Sequence, residues 1–149
     1  MRLIIIHSLF DNSVMLRRQG SINAFDVLVS IPSAILIVAI LTANNIRDLE
    51  GDRNNGRHTL AILLGHKRAV VFLACSLAAA NLWVGALVTA RMRSPWTLLV
   101  LGSLWPSAAA IRVFRVGGKP AQMMLGMKRV AQTNTVFGFL LLAGLLIKP

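Results

Sequence analysis

Three acids fall within one short polar stretch, NNIRDLEGDRNNGRHTLAILLG, from Asn44 to Gly65. They are Asp48, Glu50 and Asp52, out of only five Asp and Glu in 149 residues. Asp48 and Asp52 are four apart, so on a helix they lie ~40° apart about the axis and share a face. Glu50 points roughly the opposite way. Two unpaired carboxylates on one face repel, and a divalent cation removes that cost. Mg²⁺ prefers oxygen ligands and is typically held by one or two carboxylates together with substrate phosphates. The spacing of Asp48 and Asp52 is therefore what a Mg²⁺–diphosphate site needs. Arg47, Arg53, Arg57, Lys67 and Arg68 stand nearby in sequence, which makes sense if a polyanion also binds, since arginine holds phosphate oxygens bidentately. Asn44 and Asn45 add amide donors and acceptors. A plainer reading stays open on spacing alone: a solvated loop with Asp48–Arg47 or Asp52–Arg53 pairs that contribute little.

Other reactive residue types offer less. Cys75 lies alone in an apolar run, which excludes a disulfide framework and suits a small core residue. His58 and His66 are eight apart; zinc needs further close ligands that the chain does not supply, so a role facing lipid headgroups fits them better. The methionines of AQMMLGMKRVAQ read as packing or interfacial residues. No nucleophile elbow, P-loop or dinucleotide fingerprint is present.

The elements that must position the polar island are membrane spans. The chain is 56% hydrophobic and 14% charged, against about 25% charged in soluble domains. It lacks the polar residues to cover a water-exposed surface. The net charge of +11 is split among the gaps between apolar runs, a pattern that suits anionic headgroups rather than nucleic acid. Four spans are expected, at residues 27–43, 69–90, 96–111 and 130–147, each near the length of a bilayer crossing. Pro32 should kink the first, and Pro95 and Pro106 should mark the start and interior of the third. Residues 1–20 read as an interfacial or partial helix, without the small-residue cleavage site of a signal peptide; residues 21–149 read as the transmembrane domain. The gaps after spans one and three carry Arg47, Arg53, Arg57, Lys67, Arg68, Arg112, Arg115, Lys119, Lys128 and Arg129, ten of the 16 basic residues. That excess puts the island on the cytoplasmic side.

The island also carries a more specific likeness. The Asn44–Asn45 pair, the R-D-x-E-x-D-R core from Arg47 to Arg53 and the T-L-A-x-x-x-G that follows from Thr59 resemble the second aspartate-rich motif of the UbiA superfamily of intramembrane prenyltransferases. The branch most similar prenylates 1,4-dihydroxy-2-naphthoate in menaquinone biosynthesis, and MKRVAQTNTVFGFLLLAGLL looks like that branch's last helix. The resemblance, over roughly Gly20 to Ile147, implies an all-α polytopic bundle of four to five helices, like the C-terminal half of the nine-helix UbiA fold. It implies Mg²⁺ on Asp48 and Asp52, with Asn44, Asn45, Arg53 and Arg57 at the diphosphate of a polyprenyl donor. It implies an aromatic acceptor, alkylated as the diphosphate leaves.

Family members are about twice as long and carry an earlier motif of the N-D-x-x-D-x-x-x-D type facing the second. Before Asp48 the only acids are Asp11 and Asp26, and neither sits in that pattern. The expectation is a chain inactive alone, complemented by a polypeptide that supplies the first motif. The alternative is a non-catalytic membrane protein or a subunit of a split enzyme. CDP-alcohol phosphotransferases also use D-x-x-x-D, but GDRNNGR does not supply their upstream D-G-x-x-A-R segment.

Overall fold

A computed structural model describes residues 24–90 and 95–147; the expectation for residues 1–20 lies outside them. The chain divides into two compact units, residues 1–30 and 31–149. Of the first, residues 24–30 begin a long helix, in which the Ser30 hydroxyl donates to the Val27 carbonyl at 2.8 Å.

Six α-helices and one 3-10 segment make up the described residues. They are α1 (Ala24–Arg47), α2 (Leu49–Asn54), α3 (Leu60–Leu64), α4 (His66–Thr89), the 3-10 segment Pro95–Ser103, α5 (Leu104–Val116) and α6 (Pro120–Leu146). Among the described residues, four stretches are long and apolar enough to cross a membrane: Val27–Arg47, His66–Thr89, Pro95–Val116 and Pro120–Leu146. The all-α polytopic architecture expected from sequence is what the chain adopts.

Each span has one packed stripe. In α4 the buried residues Ala69, Val70, Leu73, Ser76, Leu77, Ala80, Asn81, Val84 and Leu87 recur at three and four, the helix period. In α6 they are Met123, Gly126, Val130, Thr133, Phe137 and Gly144. Leu36, Ala39, Ala43 and Ile46 bring α1 into the same core. The opposite faces carry Leu41, Val71, Leu82, Trp105, Phe139 and Leu142, all more than half exposed, as lipid-facing residues should be.

Two boundaries differ from the sequence expectation. The third span opens as a 3-10 segment rather than an α-helix. Its buried residues Thr97, Val100 and Ser103 recur at exactly three, the spacing that eclipses in a 3-10 helix. The α-helical stripe resumes with Ser107, Ala110 and Phe114. Pro106 falls in the first turn of α5, where its missing N–H leaves no helical bond unmade. The last span begins at Pro120, ten residues before the expected Val130, so Lys128 and Arg129 lie inside α6 rather than in a loop. Pro120 is preset for a first helical position, and Gln122 Oε1 accepts from the Lys119 N–H at 3.1 Å. Pro32 lies within α1, and helix is assigned on both sides of it.

Close backbone packing sets α6 against the 3-10 segment. A Cβ at Gly144 would stand 2.6 Å from Thr97 Cα and from the Trp96 carbonyl oxygen. Small polar groups bind the interior. The Asn81 amide donates to the Leu77 carbonyl at 3.0 Å and accepts from Ser103 Oγ at 3.2 Å. Ser107 Oγ donates to the Ser103 carbonyl at 2.8 Å. Small and polar side chains are the usual means by which membrane helices approach closely.

Candidate functional site

The polar island forms the corner between α1 and α4. Helical bonding runs almost unbroken into it: the Asp48 N–H donates to the Asn44 carbonyl at 2.9 Å, and the Asp52 N–H to the Asp48 carbonyl at 2.8 Å. Asp48 is the N-cap of α2 with φ −94° and ψ 9°, and this bond sets Asp48 and Asp52 one turn apart along the chain. The shared face expected from four-residue spacing is therefore available. α2 ends at Asn54, where Asn55 Nδ2 donates to the Gly51 carbonyl at 2.9 Å. Gly56 then turns the chain with φ 68°, a left-handed conformation that glycine adopts without strain.

Each aspartate has its own arginine. Asp48 takes two hydrogen bonds from Arg47, Nε at 2.7 Å and a terminal nitrogen at 2.5 Å. The bidentate Arg47 contact holds the Asp48 carboxyl below the ordinary carboxylate range; partial burial opposes this, and the nearby positive charges of Arg47 and Arg57 reinforce it. Asp48 is thus an ionised, partly exposed carboxylate. Asp52 is buried, its side chain 9% exposed, and bonds Arg57 at 3.1 Å. The plainer sequence reading paired Asp52 with Arg53. The structure corrects this: the Gly56 turn brings the Arg57 N–H back to the Asp52 carbonyl at 2.9 Å, and the guanidinium follows, while Arg53 stays exposed.

Asn44 and Asn45 are half-buried at the end of α1, and their amides have no hydrogen-bond partner among the described residues. Thr59, which sequence reasoning did not single out as a site residue, has a buried hydroxyl oxygen without a partner. It is the N-cap of α3 but its side chain caps nothing. Its place just before the apolar Leu60 marks a helix start, which was the available signal. No group of three or more His, Cys, Asp or Glu able to hold a metal occurs among the described residues. The donor set is two carboxylates, which suits a Mg²⁺ completed by phosphate and water oxygens and does not suit a self-sufficient protein cage.

Glu50 goes elsewhere. With Arg47, His66, Lys67, Arg115 and Gly117 it lines a hollow of about 400 Å³ at the same end of the helices. His66 crosses to α5, its ring Nε2 lying 2.9 Å from the Phe114 carbonyl oxygen; because a carbonyl only accepts, that nitrogen carries the proton. His58 is exposed. Cys75 is exposed too, not a core residue as its sequence neighbours suggested: it falls off the α4 stripe and lines a shallow apolar hollow with Ile35, Val38 and Phe72.

Residues 18–130 match the UbiA prenyltransferase family. A protein of Bacillus subtilis named 1,4-dihydroxy-2-naphthoate octaprenyltransferase is 51% identical over 130 residues, covering 87% of this chain and 42% of that protein. One of the same name from Haemophilus influenzae is 32% identical over 85% of this chain and 41% of its own. The human UbiA prenyltransferase domain-containing protein 1 is 50% identical over a shorter stretch, 31% of this chain and 14% of its own. The chain thus spans about two fifths of the length of the first two. No solved structure matches it.

Proposed function

This chain belongs to the UbiA prenyltransferase family, and from that premise we propose that its island is one half of a site for prenyl transfer. The donor is a polyprenyl diphosphate and the acceptor an aromatic ring, 1,4-dihydroxy-2-naphthoate, on the way to menaquinone. The observation that carries this reading is the arginine-flanked pair of carboxylates, Asp48 and Asp52, stacked one helical turn apart at the end of a membrane span.

Asp48 and Asp52 would hold Mg²⁺, which would supply positive charge beside the diphosphate. Arg53 and Arg57 would take the outer phosphate oxygens, where negative charge grows as the carbon–oxygen bond breaks. Asn44 and Asn45, with free amides at the edge of the span, would position the diphosphate, and the unpartnered Thr59 hydroxyl is a further donor facing the same need. The surrounding spans would keep water from the allylic cation. Two carboxylates make half of such a site. We place the remaining acids on a separate aspartate-rich segment that meets the island, and read this chain without that segment as inactive. The basic surplus at this end supports a cytoplasmic side for the island.

The test is binding. Geranyl diphosphate is titrated into the purified chain with Mg²⁺ and with EDTA. Metal-dependent binding that weakens at least about tenfold in Asp48→Ala and in Asp52→Ala supports the reading, that being the usual scale for lost metal-site groups. Binding by both variants as tight as that of the unaltered chain sinks it.

A further inference from the structure

The hollow that Glu50 shares is not used by this chemistry, and it adjoins a second one. The second, about 200 Å³, shares His66, Lys67 and Arg115 with the first and is floored by Val70 and Val71 of α4. The single acid of the first hollow, Glu50, is absent from the second. Among the described residues Lys67 and Arg115 make no ion pair; the pairs formed are Arg47–Asp48 and Arg57–Asp52. Two free cations therefore stand at a junction with a larger chamber of mixed polar and apolar lining on one side and a valine-lined groove on the other. His66 fixes the width of the junction through its bond to the Phe114 carbonyl. Gly117, at φ 71°, leaves room beside that ring, where a Cβ would lie 3.5 Å from Nε2. Val71 of the groove is 60% exposed, so the groove opens on the lipid-facing side of the helices.

The geometry points to a headgroup site for an anionic phospholipid at His66, Lys67 and Arg115, distinct from the aspartate island. The phosphate sits between Lys67 and Arg115, the glycerol end reaches into the larger chamber, and an acyl chain lies along Val70 and Val71. Basic pockets between membrane helices bind anionic headgroups in this way. A free phosphate would leave the apolar groove empty, which is why the lipid is the occupant chosen. The site does not depend on the prenyl-transfer reading, because the bonded partners of Asp48 and Asp52 are Arg47 and Arg57, not its three headgroup residues.

The test is lipid retention by the purified chain in a zwitterionic detergent, read by native mass spectrometry with phosphatidylglycerol and phosphatidylcholine supplied in equal amounts. Retention should favour phosphatidylglycerol. Lys67→Gln with Arg115→Gln should lower that affinity about thirtyfold, since each basic residue near an anionic surface contributes about fivefold. The charge-matched control is Arg112→Gln with Lys128→Gln, two exposed residues that line neither hollow; it should keep the wild-type preference. Equal loss in both double variants would mean adhesion by net charge and would overturn the site. So would equal retention of the two lipids, or displacement of the lipid by millimolar glycerol 1-phosphate. Asp52→Asn should leave lipid retention unchanged while weakening geranyl diphosphate binding, so failure of either reading is visible without the other.

Discussion

Replacing Gly144 by alanine should be the most damaging single-methyl change in α6. The added Cβ would lie 2.6 Å from Thr97 Cα, 2.6 Å from the Trp96 carbonyl oxygen and 2.9 Å from the Thr97 nitrogen. Comfortable carbon contacts begin near 3.5 Å, so α6 and the 3-10 segment must separate by about 1 Å. All three obstructing atoms are backbone, and no rotamer change can clear them. Overpacking a close-fitted interior costs about 1–3 kcal/mol, and a backbone obstacle places this case at the upper end. Gly138 is the internal control: it lies in the same helix, is exposed, and a Cβ there meets nothing within 4 Å. Gly138→Ala should be neutral or stabilising by up to about 1 kcal/mol through helix propensity. Gly126→Ala should fall between, because its obstacle is the buried Phe114 ring at 2.8 Å, a side chain with torsions of its own. The gap between Gly144→Ala and Gly138→Ala is then about 3 kcal/mol, roughly a hundredfold in the unfolding equilibrium. Titration from mild detergent into SDS, followed by fluorescence of the three tryptophans, reads it directly. If the two variants unfold at the same point, the close approach of α6 to the 3-10 segment is wrong.

Three further perturbations test the island and the interior. Arg57→Gln strips the buried Asp52 carboxylate of its bonded partner and should destabilise the chain by about 1–2 kcal/mol, less than a fully buried pair because Arg57 is 70% exposed; adding Asp52→Asn should recover part of the loss, and a double-mutant cycle with no coupling would refute the pairing. The depressed Asp48 carboxyl contributes stability that is fully present above its ordinary value of 3.8 and disappears as the pH falls through the lowered one; Asp48→Asn should flatten acid denaturation in that window, and an unchanged pH profile would remove the Arg47 bond as its cause. Asn81→Val removes both Asn81 bonds, leaving Ser103 Oγ without its acceptor, and should cost about 0.6–2 kcal/mol, the range for hydrogen bonds between membrane helices; the same SDS titration measures it, and wild-type stability would show the bond is idle.

Much of the island was legible because its signals are local. Four-residue spacing put Asp48 and Asp52 on one turn and turned Glu50 away, and the structure agrees with both. The Asp52 partner was not legible, because it depends on where α2 stops: the Gly56 turn favours Arg57 over the adjacent Arg53. The two hollows were hidden for a different reason. His66 and Arg115 come together only when α4 and α5 pack, where a hydrogen bond joins His66 to the carbonyl of Phe114, 48 residues on and next to Arg115.

The spans show a deeper limit. Hydropathy located four crossings but could not say which face of each is packed, since in a membrane the usual polarity rule is reversed. Within the 3-10 segment Thr97 and Ser103 are fully buried, while Leu98, Leu99 and Leu101 are exposed. Lipid accepts leucine as readily as a protein interior does, so leucine gains nothing by turning inward. Threonine and serine gain a hydrogen-bond partner and a closer helix approach.

At the corner, Arg47 borders both the aspartate island and the larger hollow. Arg47 spends both of its short hydrogen bonds on Asp48, yet it also lines the larger basic hollow. Each Asp48 oxygen keeps a lone pair beside its Arg47 bond, so the Arg47 pair holds the carboxylate in place and leaves it able to accept a further partner. Six residues of α2 are too few to be stable on their own, so the helix holds its place through Leu49 against the core and Asp52 against Arg57. A short element held by so few contacts leaves the two carboxylates placed chiefly by their own arginines, Asp48 by Arg47 and Asp52 by Arg57.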